Sequence, residues 1–294
     1  MNPVKRLLVA TDLSAPARHA ADRAALVARE VGASLDLFHV ANVTAVEKLR
    51  LLIAEIPAEI GQRVLDAARE EMRELAANLL KHHGVAAGVQ VASGPLLPEL
   101  IGHADTISTD LLVLGARGSS FMRHLLIGST AERMVRKTRW PMLIVKQPPH
   151  EPYRTLLVPV DFSPFSLRAL RNAQAVAPGA DVVLLHAFEV PFESKLRFAG
   201  IEDELLARYR IAARQEALAK LRELRDEVGL PLERTRLIVV HGDASRNIIE
   251  QEQEQDCDLI VMGKHGESVL EDLLLGSVTK HVLAESQGDV LVSV

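Results

Sequence analysis

The sequence is poor in the residue types that several function classes require. One cysteine, Cys257, stands among 294 residues. No intramolecular disulfide can form, which fits a reducing compartment and the expectation of a cytoplasmic protein. Aromatic side chains make up 3% of the chain, so platforms for stacking single-stranded bases are scarce. Basic charge is not in excess, since 34 Lys and Arg face 39 Asp and Glu for a formal net charge of −5. That balance creates no field for nucleic acid, and no nucleic-acid partner is expected. No apolar run approaches the ~18 residues of a membrane helix, so no membrane is expected either. The N-terminal MNPVKRLLVATDLS has no long apolar core and turns polar at Thr11-Asp12, which reads as a soluble chain that is not exported.

Signatures of dedicated catalysis are missing too. The glycine-rich stretches lack the Lys-Ser/Thr of a Walker loop. No nucleophile elbow, kinase signature or metal-ligand cluster is visible. His82-His83 precedes Gly84, where polar or cationic side chains suit the last carbonyls of a helix better than a metal. Cys257 precedes an apolar strand and reads as a small buried hydrophobe.

What the sequence does contain is a glycine pattern that occurs twice. Gly115-Ala-Arg-Gly118 is followed after nine residues by Gly128-Ser129-Thr130, behind the apolar run Leu111–Leu114. Gly263-Lys-His-Gly266 is followed after nine residues by Gly276-Ser277-Val278, behind Leu259–Met262. Each reads as a buried strand, a tight glycine turn, a short excursion and a helix start. Glycine permits positive φ and lets a ligand approach bare backbone. A helix opening at Gly-Ser offers free N–H groups and a positive dipole end to an anion. One such stretch is weak evidence, whereas the full spacing repeated behind a strand is specific.

The repeat extends over the whole chain. Arg6–Ser14 matches Thr155–Ser163, Leu35–Val40 matches Val183–Ala187, Ser93-Gly94-Pro95 matches His241-Gly242-Asp243, and Asp110–Gly115 matches Asp258–Gly263. The offset stays near ~148 residues, far longer than a solenoid period, so a whole domain is written twice. Residues 1–147 and 152–294 form the two expected domains, joined by the Pro-rich seam Lys146–Pro152.

Within each copy, apolar strands alternate with helical spacing. Copy one predicts strands at 6–10, 34–40, 89–91, 111–114 and 141–145. Helices are expected after Ser14, within 44–83 with a break near Pro57, at 98–107 and at 130–137. Ser14 reads as an N-cap, Ser129-x-x-Glu132 as a capping box, and Ser163-Pro164 as a cap with a proline at the first helical position. Continuous apolar strands between helices imply an α/β fold, a doubly wound, Rossmann-like parallel sheet with helices on both faces. In such sheets the ligand sits beyond the strand ends where the strand order reverses. If strand one lies beside strand four, Asp12 and the Gly115 loop converge there, and a nucleotide site results.

Gly-x2-Gly-x9-Gly-Ser/Thr behind a strand, with Val9-Ala-Thr-Asp12-Leu-Ser14 or Val158-Pro-Val-Asp161-Phe-Ser163 in the first turn, resembles the universal stress protein family. The resemblance spans essentially the whole chain as two tandem members. It implies two five-stranded sheets of order 3-2-1-4-5 and binding of ATP or AMP, with Mg²⁺ left open. It places Asp12 and the backbone at Val40 against adenine, and Gly115, Gly118, Gly128 and Ser129 around ribose and phosphates, flanked by Arg117 and Thr130. Asp161, Ala187, Gly263, Gly266, Gly276 and Ser277, flanked by His265 and Val278, form the second candidate site. The implied function is stress adaptation through nucleotide-dependent sensing or interaction. A scaffold that binds no ATP and a slow ATPase stay open as alternatives.

The resemblance also implies that the last strands, Met142–Val145 and Val290–Val294, pair the two domains within one chain, with a homodimer of chains left open. The halves are unequal in charge. Copy one carries Arg117, Arg123 and His124 around its loop, whereas copy two carries Glu267, Glu271 and Asp272. Carboxylates repel a triphosphate unless they bind Mg²⁺ or point away, so on charge alone copy one is the better expected ATP site, whereas copy two keeps the family's adenine-side Pro159-Val-Asp161 and Met262-Gly263 step more faithfully than Ala10-Thr-Asp12 and Leu114-Gly115. His39 and His186, at equivalent strand ends, are expected to make structural hydrogen bonds. Arg133–Arg139 reads as a solvated helix face and Glu250–Gln255 as a polar helix face.

Overall fold

A computed structural model of the chain describes residues 3–43, 59–118, 128–190, 202–266 and 275–294. Two compact units divide it, Met1–Pro152 with Ala175–Ala177, and Tyr153–Gln174 with Pro178–Val294. The first contains β1 (Arg6–Ala10), α1 (Ala15–Val31), β2 (Ser34–Ala41), α2 (Ile60–His83), β3 (Ala87–Ser93), α3 (Leu96–Thr106), β4 (Leu111–Gly115), α4 (Ser129–Lys137) and β5 (Met142–Val145). The second contains β6 (Thr155–Pro159), α5 (Pro164–Val176), β7 (Asp181–Phe188), α6 (Asp203–Val228), β8 (Thr235–His241), α7 (Ala244–Glu254), β9 (Leu259–Gly263), α8 (Ser277–Glu285) and β10 (Asp289–Ser293). The expected helical segment at 44–58, with its break at Pro57, lies outside the described residues.

The strands run parallel in the order β3-β2-β1-β4-β5 in the first unit and β8-β7-β6-β9-β10 in the second. Each is the 3-2-1-4-5 order. Leu7, Leu8, Val9, Leu111, Leu112 and Val113 are fully buried, as are Leu156, Leu157, Val158, Leu259, Ile260 and Val261. Strands covered on both faces have no polar side to present, which is why they read as continuous apolar runs. α1 packs closely because its inner face is alanine, with Ala17, Ala20, Ala21, Ala24, Ala25 and Ala28 buried. It ends at Gly32, whose φ of 69° is left-handed and whose N–H caps Ala28.

A repeated aspartate fixes the strand adjacency that matters for the site. Asp110 Oδ2 accepts from the Lys5 and Arg6 N–H groups at 2.9 and 3.0 Å, pinning the start of β1 to β4. Asp258 Oδ2 does the same for Arg154 and Thr155 at 2.7 and 3.0 Å. The ladders then differ. β1 pairs with β4 from Leu7 to Ala10, whereas the β6–β9 register covers Leu156 and Leu157. Pro159, where the first unit has Ala10, has no N–H to extend a ladder.

Three local expectations change. Ser14 stands at the N-cap position of α1 but makes no side-chain cap; its hydroxyl donates to Asp12 instead. Gly128, not Ser129, is the N-cap of α4, so no capping box forms, and Glu132 pairs with Arg136 at 2.8 Å. The segment Glu250–Gln255 is more than a polar helix face. Glu252 is buried and accepts from the Gln287 and Gly288 N–H groups at 3.0 and 2.7 Å, tying α7 to the turn before β10. Ser163 does cap α5, accepting from the Ser166 N–H at 3.4 Å.

Cys257 is buried, and burial with the Glu252 and Asp258 carboxylates pushes its thiol from 9.0 up to about 12. The thiolate that reacts with electrophiles is therefore scarce in the folded chain. Iodoacetamide at neutral pH is expected to label the native chain at least ~10-fold more slowly than the urea-unfolded chain. Equal rates would contradict this burial.

His103 stacks on Phe38 with ring centroids 4.6 Å apart and planes at 15°. Burial holds its pKa below the ordinary 6.5, opposed by the Asp36 carboxylate. The unfolded chain therefore takes up this proton at higher pH than the folded chain. The His103 contribution is intact above 6.5 and is lost as pH falls from 6.5 through the folded value. Urea midpoints followed from about pH 7.5 to about pH 5 should fall less steeply for His103→Phe than for the parent chain. Parallel curves would refute the assignment.

Candidate functional site

The carboxyl ends of β1 and β4 diverge at the point where the chain leaves the sheet in opposite directions. The β1 turn is Asp12-Leu13-Ser14. Asp12 Oδ1 accepts from the Ser14 N–H at 3.1 Å and from the Ser14 hydroxyl at 2.5 Å. Leu13 between them has a left-handed φ of 65°. A branched-γ side chain in that region costs about 1 kcal/mol or more, so the turn persists because its neighbours hold it. The second unit repeats this with Phe162 at φ 63°. There Asp161 Oδ1 accepts from the Ser163 N–H, the Ser163 hydroxyl and the Ser166 hydroxyl at 3.0, 2.6 and 2.5 Å. The extra partner, Ser166, stands where the first unit has Ala17.

The glycine loops close over these carboxylates. A Cβ on Gly118 would stand 2.6 Å from Asp12 Oδ2, and one on Gly266 would stand 2.9 Å from Asp161 Oδ2. Gly115 presses on the Pro16 carbonyl at 3.0 Å, and Gly263 on the Phe165 Cβ at 3.0 Å, both measured from an added Cβ. None of the six motif glycines has a left-handed φ. Close approach, not backbone freedom, is what requires glycine here. The loops are tied to the helices that follow, since the Gly128 N–H donates to Ala116 at 2.7 Å and the Gly276 N–H to Lys264 at 3.1 Å. The first-turn N–H groups of α4 and α8 have no intrahelical acceptor by construction and face the same space.

That space is a cavity in each unit. The first, of ≈ 380 Å³, is lined by Asp12, Val40, Gly115, Arg117, Gly118, Gly128, Ser129 and Thr130. Its other walls are Thr11, Ala17, Phe38, His39, Leu100 and Leu114 among others. The second, of ≈ 180 Å³, is lined by Asp161, Ala187, Gly263, His265, Gly266, Gly276, Ser277 and Val278, together with Ser166, Leu185, Ile248, Met262 and Thr279. Every candidate position of each half therefore reaches its own cavity. Arg123, His124, Glu267, Glu271 and Asp272 lie outside the described residues. His39 Nδ1–H donates to the Thr11 carbonyl at 2.8 Å, and His186 Nδ1–H to the Val160 carbonyl at 2.7 Å. Both rings buttress the strand-one turn, as their positions suggest.

The model of the universal stress protein family matches residues 3–146 and again residues 152–293. The chain belongs to this family. A universal stress protein of Methanocaldococcus jannaschii is 28% identical over 155 residues, covering 51% of this chain and 86% of the relative. One from Mycobacterium tuberculosis strain H37Rv is 28% identical over 245 residues, covering 76% of this chain and 77% of the relative. The crystal structure of a universal stress protein from Archaeoglobus fulgidus shares the fold, with a TM-score of 0.69 at 20% identity over 99% of this chain and 98% of that one.

Several cavity residues of this universal stress protein carried no signal as an isolated motif. Phe38 lies two residues before Val40 and so on the same strand face, and alternation alone would have found it. Leu100 and Ile248 come from α3 and α7, and only packing brings them in. Ser166 lies in the first turn of α5, five residues after Asp161, and only the turn between them brings its hydroxyl onto the carboxylate.

The crowding at Gly118 gives a direct test. Gly118→Ala should lower stability by about 1–3 kcal/mol, because the methyl group must displace the Asp12 carboxylate. Gly102→Ala, within α3 and with nothing within 4 Å, should instead raise it by roughly 0.5–1 kcal/mol. Urea unfolding of both variants decides; a neutral Gly118→Ala would mean the carboxylate is not held there.

Proposed function

We propose that this universal stress protein binds an adenine nucleotide, ATP or AMP, and acts in the cytoplasm in stress adaptation as a nucleotide-dependent sensor or interaction module. The observation that carries the reading is the convergence of all eight candidate positions of the first half on one cavity of ≈ 380 Å³. That volume is within the range of about 300–1,000 Å³ usual for small-molecule sites. Its lining combines apolar and anion-binding groups. Phe38, Leu100, Leu114 and Ala17 make an apolar slot for a flat base, with the Asp12 carboxylate as an acceptor at its edge. Ser129, Thr130 and the first turn of α4 make an anion cradle, with Arg117 beside it. In this reading Asp12 and the backbone at Val40 fix the adenine, and the glycine loop takes ribose and phosphates.

The scaffold reading has support at the second unit only, where the cavity is about half as large. Slow ATP hydrolysis rests on Glu267 and Asp272, which lie outside the described residues.

Titration calorimetry of Mg-ATP and of AMP into the full chain, first stripped of retained nucleotide, is the test. Saturable binding is expected. Asp12→Ala should weaken the first site by at least about tenfold, ~1.4 kcal/mol, and Gly128→Leu should abolish it, in variants whose melting curves show them folded. No binding of either nucleotide would overturn the reading.

A further inference from the structure

The strand-two wall of the first cavity is aromatic, and that of the second is not. The Thr11 N–H donates to the Phe38 carbonyl at 2.9 Å and the Val160 N–H to the Leu185 carbonyl at 2.8 Å, so Phe38 and Leu185 hold the same place beside strand one. Both line their cavities, and no Phe, Tyr or Trp is among the described lining of the second. Phe38 is 2% exposed, and the His103 ring lies along it with centroids 4.6 Å apart and planes at 15°. His103 stands on α3 three residues after Leu100, which lines the same cavity. Its Nε2 is buried and has no hydrogen-bond partner among the described residues. An unmet ring nitrogen costs free energy, so the contact that holds this ring is its face on Phe38, not a hydrogen bond at Nε2. Three residues after Ile248, at the same step of α7, the second unit has Gln251. Gln251 Nε2 donates to Glu254, and its Oε1 accepts from Gln255 at 3.5 Å, so this side chain is spent on its own segment. A Phe–His stack in one half is thus a Leu–Gln pair in the other.

We infer that Phe38 is the platform on which the first cavity stacks the base of its nucleotide, and that His103 positions this platform from behind. The inference rests on the nucleotide reading of the first cavity and adds the residue pair that makes the two halves unequal. A phenyl face gains from the π-face of a base beyond the area it buries, whereas Leu185 offers apolar contact alone. His103 occupies one face of the ring and fixes its plane, so the other face meets the base without an ordering cost at binding. The first unit therefore fills before the second as the nucleotide concentration rises.

The experiment is calorimetry and proton NMR of AMP with the stripped full-length chain carrying Gly276→Leu, which places a branched side chain in the second cavity and leaves the first to be read alone. On binding, the adenine H2 and H8 resonances are expected to move upfield in the ring current of Phe38. Phe38→Leu, the residue of the second unit, should remove that shift and weaken AMP on the order of tenfold. Ribose 5-phosphate, which has the sugar and phosphate without the base, should bind both chains alike. His103→Gln should weaken AMP and reduce the shift, and His103→Phe, which restores a ring, should recover both. No upfield shift in the chain that keeps Phe38 would overturn the platform, whatever the stability of the variants. Equal losses of AMP and ribose 5-phosphate in a folded Phe38→Leu chain would reduce Phe38 to a structural residue. Unchanged AMP binding by His103→Gln would overturn the positioning role. AMP bound by the parent chain but not by Gly276→Leu would assign the nucleotide to the second unit and overturn the inference, whereas no AMP binding by the parent would remove the nucleotide reading itself.

Discussion

The side-by-side pairing of β1 and β4 is the constraint from which the rest of this universal stress protein follows. Asp110 and Asp258 enforce it at one end by accepting two backbone N–H groups each from the start of the neighbouring strand. Once those strands are adjacent, their far ends must part, because one connection leaves for α1 or α5 and the other for the glycine loop. The gap that results is a property of the topology, not of any one side chain. Side chains then decide what it holds.

In each unit the gap is closed by a carboxylate held from two directions. The serine after Asp12 or Asp161 fixes one oxygen, and the glycine loop lies against the other. This explains why a residue with a left-handed φ, Leu13 or Phe162, is tolerated without being glycine. The turn is over-determined by its hydrogen bonds and by the strand behind it, so local strain persists at the edge of the cavity. The same geometry explains the glycines. Their lack of a Cβ is what allows the loop to close, and their backbone angles are ordinary.

Duplication has kept the frame and varied the contents. Both halves preserve the strand order, the aspartate turn, the histidine brace and the link from the glycine loop to the following helix. They differ at Ala17 against Ser166, Pro16 against Phe165, and Arg117 against His265. Of these, Ala17, Ser166, Arg117 and His265 line the cavities rather than the sheet interior, where a change of one methylene is felt. A tandem chain thereby presents two related cavities of different size on one architecture.

The sequence alone was sufficient for the repeat, the α/β class, nearly all strands and the aspartate and glycine positions at each cavity. The reason is that buried parallel strands are continuous apolar runs and that the glycine spacing is fixed by one loop geometry, so both leave local signals. The order of strands was legible only through likeness to a family. It depends on pairing between Arg6–Ala10 and Leu111–Gly115, ~100 residues apart, which no local pattern encodes. Ser14 does not cap because its hydroxyl donates to the neighbouring Asp12 carboxylate, and Ser129 does not because α4 begins one residue earlier, with Gly128 at the N-cap. The burial of Glu252 depended on the Gln287-Gly288 turn meeting α7. At the second loop residue, Arg117 is exposed where it lines its cavity, whereas His265 is buried and packs against Phe165. Direction of a side chain in a loop is set by what it can pack against, and that is decided only when distant segments have come together.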